Sequence, residues 1–150
     1  DAHTIVETCF EILRNAHFHG PLFVMGRSLG LFPAIEVATS FTQGFNGLIV
    51  ESGSVSIRGF MRYLRYTQDA KTINDLERGH QAQVEMIKLP LLVIHGGQDT
   101  LVPISEAFNF YEVVSSSKKR IVTINSAGHN DLMHVGRDQY FDAISSFVST

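Results

Sequence analysis

Pro21-Leu22-Phe23-Val24-Met25-Gly26-Arg27-Ser28-Leu29-Gly30, running straight into Leu31-Phe32-Pro33-Ala34-Ile35, is the stretch on which the fold turns. Its first half is a short continuous apolar run, the texture of a strand buried on both faces of a parallel sheet. The period then changes, and Leu31, Ala34, Ile35, Ala38 and Phe41 share one helical face. Between the two lies the pattern G-x-S-x-G. A strand-to-helix turn this sharp forces its central residue into a strained backbone, and Gly26 and Gly30 let strand and helix pass closely. The Ser28 oxygen then projects from the carboxyl end of the sheet. The N–H groups that open the following helix, Leu29's included, aim at the same point. A glycine-rich turn without chemistry, or a phosphate cradle, is the plainer account of the bare pattern. The strand before it and the helix after it favour a nucleophile.

Three similar apolar runs follow: Gly47-Leu48-Ile49-Val50, Leu91-Leu92-Val93-Ile94-His95 and Arg120-Ile121-Val122-Thr123-Ile124. Helical patterns lie around them. Ala2, Ile5, Val6, Cys9, Phe10, Leu13 and Ala16 form the first. Ile104, Ala107, Phe108, Tyr111 and Val114 form another behind Pro103, and Tyr140, Phe141, Ile144, Phe147 and Val148 the last. Alternation of this kind means an α/β fold: a parallel sheet with helices on both faces, a three-layer αβα sandwich. The stretch from Gly53 to Leu89 is an insert of two or three short helices, one carrying Ile57, Phe60, Met61 and Leu64. Arg58, Arg62 and Arg65 fall on its other side, where a solvated face is a simpler account than an acidic ligand.

The chain of 150 residues suits one domain, and 44% apolar with 18% charged residues is a globular balance. A net charge of −3 leaves no electrostatic footprint for nucleic acid. The single cysteine, Cys9, excludes an internal disulfide, and no apolar run is long enough to span a bilayer. With no His/Asp/Glu cluster at ligand spacing, neither a metal site nor a cofactor is expected. A cytoplasmic location without membrane attachment is expected, from the free cysteine and the absence of a visible signal.

Two further loops carry chemistry. In His95-Gly96-Gly97-Gln98-Asp99-Thr100, Asp99 follows a buried strand and opens at the same sheet end as Ser28. A carboxylate there can accept a histidine ring N–H, fix its tautomer and stabilise an imidazolium; capping the next helix is the competing role. Ala127-Gly128-His129-Asn130-Asp131 follows the fourth strand, and His129 is placed to take the serine proton and later return it. His134 is the reserve base and Glu51, at the end of the second strand, the reserve acid. His95 reads as structural, and His3, His17, His19 and His80 are scattered.

These residues resemble the α/β-hydrolase superfamily, and more narrowly its bacterial serine-aminopeptidase-like and esterase-like branch. The resemblance rests on Met25 to Gly30, Gly47 to Gly53, Pro90 to Asp99 and Ala127 to Asp131. It implies Ser28 as nucleophile, Asp99 as acid, His129 as base, Leu29 as one backbone oxyanion donor, and residues 53–89 as a small helical cap. It also implies a serine hydrolase cleaving small-molecule esters, thioesters or amides, the alternative being a non-catalytic interaction domain on the same scaffold. Members of the family have strands ahead of the nucleophile strand, so these residues resemble its C-terminal half only. The strand at 21–25 is then expected to be an edge, covered by the missing half or by another subunit.

Overall fold

Each of the four apolar runs becomes a strand in the computed structural model, which describes residues 1–54, 56–66 and 69–149. The strands are β1 (Phe23–Arg27), β2 (Gly47–Glu51), β3 (Leu91–Gly96) and β4 (Lys119–Ile124). They pair in parallel, in the order β1-β2-β3-β4, with Met25 opposite Ile49, Ile49 opposite Leu92 and Leu92 opposite Arg120. Every carboxyl end therefore opens on one side, and the crossovers must run through helices.

The helices are α1 (Ala2–Asn15), α2 (Leu31–Ser40), α3 (Ile57–Tyr63), α4 (Ala70–Glu85), α5 (Ile104–Val113), α6 (Leu132–Val135) and α7 (Arg137–Val148). Strand side chains alternate between faces, and each face has its own core. Leu48, Val50, Leu91 and Val93 pack with Leu31, Ile35 and Ala38 of α2 and Phe110 of α5. Ile49, Leu92, Ile94 and Ile124 pack on the opposite face with Leu132, Tyr140 and Ala143 from α6 and α7. The three-layer αβα sandwich read from the sequence is the architecture observed.

Side-chain caps fix several helix starts. Asp1 accepts the N–H of Thr4 at 2.9 Å, Ser56 that of Gly59 at 2.9 Å, and Asp69 that of Thr72 at 2.9 Å. Three faces differ from expectation. On α5, Phe108 is 46% exposed while Phe110 is 1% exposed; on α7, Phe141 is exposed and Ala143 buried. On α1 no residue is fully buried, and Ile5 and Ile12 face outward. The helical insert holds α3 and α4, with Leu64 exposed rather than on the packed side. Arg58 is not merely solvated: its guanidinium donates to Asn74 at 2.6 Å and its backbone N–H to Glu77 at 2.9 Å, tying α3 to α4. β1 lies at an edge of the sheet, with Met25 45% exposed.

Candidate active site

Ser28 sits at φ 52°, in the left-handed region where side chains other than Asn and Asp are uncommon. A single 3-10 turn, Ser28–Gly30, links it to α2. The turn is possible because Gly26 has no side chain: a Cβ there would lie 2.7 Å from the Ala34 Cβ and 2.9 Å from the Leu31 Cα. Gly30 carries no such demand, since a Cβ on it would meet nothing within 4 Å.

Asp99 follows β3 with its carboxylate buried. Oδ1 accepts the backbone N–H groups of Leu101 at 2.9 Å and Val102 at 2.8 Å. Oδ2 lies 2.7 Å from Nδ1 of His129, whose Nε2 is 3.0 Å from the Ser28 hydroxyl. In the tautomer that satisfies this chain, Nδ1–H donates to Asp99 and the Ser28 hydroxyl donates to Nε2. Three loops from one end of the sheet thus bring Ser28, Asp99 and His129 into one hydrogen-bonded line.

The loop carrying His129 leaves β4 and returns across the end of β3, and a pair of glycines lets it through. A Cβ on Gly96 would sit 2.5 Å from the carbonyl oxygens of Ala127 and Gly128, and one on Gly97 2.7 Å from that of Asn125. Asp131 closes the turn by accepting the Gly128 N–H at 2.7 Å. Only the glycine pair itself signalled this crossing in the sequence.

The remaining candidates fall elsewhere. His95 is buried, and its Nε2 lies 2.9 Å from the Val102 carbonyl, a structural tie to the Asp99 loop. His134 is exposed on α6. Glu51 does not face His129. Its Oε1 accepts from Arg27 Nε at 2.8 Å, and its Oε2 from the Tyr140 hydroxyl at 2.6 Å. Burial, helped by the adjacent Glu51 carboxylate, pushes the Tyr140 phenol well above its ordinary pKa, so it remains a donor. Arg27 had no sequence signal, because it occupies a free position of G-x-S-x-G. Leu29 opens the turn beside Ser28, so its N–H is among the orphan donors there.

A cavity of about 420 Å³ opens beside Ser28. Leu29, Phe32, Phe60 and Leu101 give it an apolar wall, with Arg62 and Glu106 as its charged members. Arg62 therefore faces this cavity rather than only solvent, the face assigned to it from the sequence.

Residues 66–134 match the family described as serine aminopeptidase, S33. The chain is 31% identical over 137 residues to an uncharacterised membrane protein of Saccharomyces cerevisiae, covering 88% of this chain and 47% of that protein. It is 26% identical over 148 residues to the alpha/beta hydrolase domain-containing protein aho-3 of Caenorhabditis elegans, covering 95% of this chain and 41% of that one. Among solved structures it resembles a monoacylglycerol lipase of Paleococcus ferrophilus, with a TM-score of 0.69 at 17% identity over 99% of this chain and 75% of that one. The chain spans about half the length of the curated relatives it matches. Among the described residues no helix is long and apolar enough to cross a membrane.

Proposed function

We propose that the protein is a serine hydrolase of the α/β-hydrolase superfamily, acting by acyl transfer, a reading supported by the family match over residues 66–134 and by the fold it shares with a solved lipase. Ser28 is the nucleophile, His129 the general base and Asp99 the acid that orients it. One observation carries the reading: the line from Ser28 Oγ through His129 to Asp99, at 3.0 and 2.7 Å, starting from a serine at φ 52°.

In this reaction the Ser28 oxygen attacks the substrate carbonyl and its proton passes to Nε2 of His129. The carbonyl oxygen takes up the negative charge, and the Leu29 N–H faces it as one donor. Collapse of the tetrahedral intermediate breaks the bond to the leaving group, which departs with the proton from Nε2. A water molecule then gives a proton to Nε2 and attacks the acyl-enzyme. Its collapse releases a carboxylic acid and returns the proton to Ser28. The buried Asp99 carboxylate stabilises the imidazolium in both halves.

Carboxylic esters fit best, with thioesters and amides as neighbours in the same chemistry. The apolar wall of the cavity suits an uncharged acyl group. Residues 53–89 act as a cap, because Ser54, Ser56, Phe60 and Arg62 line the cavity beside Ser28, with the Phe60 ring 5.4 Å from that of Phe32. No cofactor is required.

Fluorophosphonate labelling of the full-length protein tests the proposal. Wild type is expected to label and Ser28→Ala not to. A well-folded wild type that takes no label would overturn the reading and leave a non-catalytic interaction domain on this scaffold.

A further inference from the structure

We propose that Arg27 is a positioning residue for the Ser28–His129 pair, clamping the histidine loop to the nucleophile strand through a fork that Glu51 and Tyr140 hold in place. The inference rests on the serine-hydrolase reading above. His129 belongs to the loop after β4, whereas Ser28 ends β1, at the opposite edge of the sheet. Three strand spacings separate these edges, roughly 14 Å at ~4.8 Å each. The Gly96-Gly97 pair permits the loop to cross that distance but does nothing to fix where it ends.

Arg27 does. It immediately precedes Ser28, and its Nη2 donates to the His129 carbonyl at 3.0 Å and to the Asn130 side-chain oxygen at 2.8 Å. Its Nε donates to Glu51 Oε1 at 2.8 Å, which sets the plane of the guanidinium. Glu51 is itself immobilised: it is buried, and its second oxygen accepts the Tyr140 hydroxyl at 2.6 Å. Tyr140 lies on α7, just beyond the histidine loop. One planar group thus joins the strand of the nucleophile, the loop of the base and, through Glu51, helix α7.

Only arginine can do this. Its rigid fork serves the carboxylate and the loop at once, whereas a lysine ammonium is a single point charge that satisfies one or the other. A plain ion pair for stability, the competing account, requires the contact with Glu51 but not the two with the loop.

Arg27→Lys separates them, since it keeps a cation beside the buried Glu51. In the full-length protein it is expected to fold with a Tm near wild type. Fluorophosphonate labelling and kcat should fall about 10- to 100-fold with little change in KM, as misplacement of a reacting group does. The low-field NMR signal of the His129 ring proton shared with Asp99, sharp in wild type, should broaden or vanish. Asn130→Ala, at an exposed position, removes one loop contact only; a smaller loss is expected, and combined with Arg27→Lys it should be less than additive. A folded Arg27→Lys that labels at the wild-type rate with an unchanged ring proton overturns the proposal. If Arg27→Lys does not fold, an Asn130→Ala protein indistinguishable from wild type overturns it instead. A wild type that fails to label would sink the hydrolase reading, and the ring-proton comparison would still decide the clamp.

Discussion

A serine at φ 52° holds backbone strain of about 1–3 kcal/mol that the packing of β1 against α2 must offset. Glycine adopts that conformation freely, so Ser28→Gly and Ser28→Ala separate strain from chemistry. Both are expected to abolish labelling, with the glycine variant unfolding at the higher temperature. Gly26→Ala should instead cost about 1–3 kcal/mol in denaturant unfolding, because its Cβ meets the Ala34 Cβ at 2.7 Å, while Gly30→Ala should be close to neutral. At Asp99, asparagine can still accept the Leu101 and Val102 N–H groups but offers no second acceptor for the histidine ring. Asp99→Asn is therefore expected to fold normally and lose on the order of 10³–10⁴ in kcat, through the wrong His129 tautomer. Ser28, Asp99 and His129 were legible because each follows a strand within two residues of a glycine, in the order of one architecture. Arg27 was not, since nothing in its neighbourhood in the sequence names partners 24 and 103 residues away.

Helices were legible as periods, and their buried faces less so. On α5 the apolar set is broad enough to contain Phe108 and Phe110, and Phe110 is the one that enters the core with Leu91 and Val93 of β3. On α7 the small Ala143 is buried and the larger Phe141 is not, because the helix lies close over β3 and β4. On α4, His80 packs its ring on Phe32 at 4.9 Å, and its pKa is lowered by burial despite the nearby Glu77 carboxylate. The folded state then binds fewer protons than the unfolded chain between the two pKa values. Stability is therefore full above the unfolded histidine pKa and is lost as pH falls through the folded one. His80→Phe keeps the ring contact without the titration, and is expected to flatten the fall in Tm between about pH 7 and pH 5. An unchanged slope would place the acid sensitivity elsewhere.

For the molecule as a whole, the parallel sheet has β1 at one edge, with no strand on its outer side among the described residues and with an exposed Met25. Such an edge pairs readily with another chain, and a lysine on it is the usual deterrent. For the isolated 150-residue chain, Met25→Lys is expected to lower concentration-dependent light scattering without a comparable loss of Tm. Equal scattering from both proteins would show that the edge is not what associates. The same edge carries Ser28, so whatever covers β1 also borders the cavity beside the nucleophile.

The α/β alternation, the sharp turn at Ser28 and the residue types of the Ser28–His129–Asp99 line were determined by sequence alone. Strand burial, helical period and a strained elbow are local properties, written in spacings of a few residues. The path of the histidine loop over Gly96 and Gly97, the Arg27–Glu51–Tyr140 brace, the facing of Arg62 and the choice of buried aromatics were decided only in the tertiary structure. Each joins groups distant in sequence, and their distances exist only once the sheet has set the strands side by side.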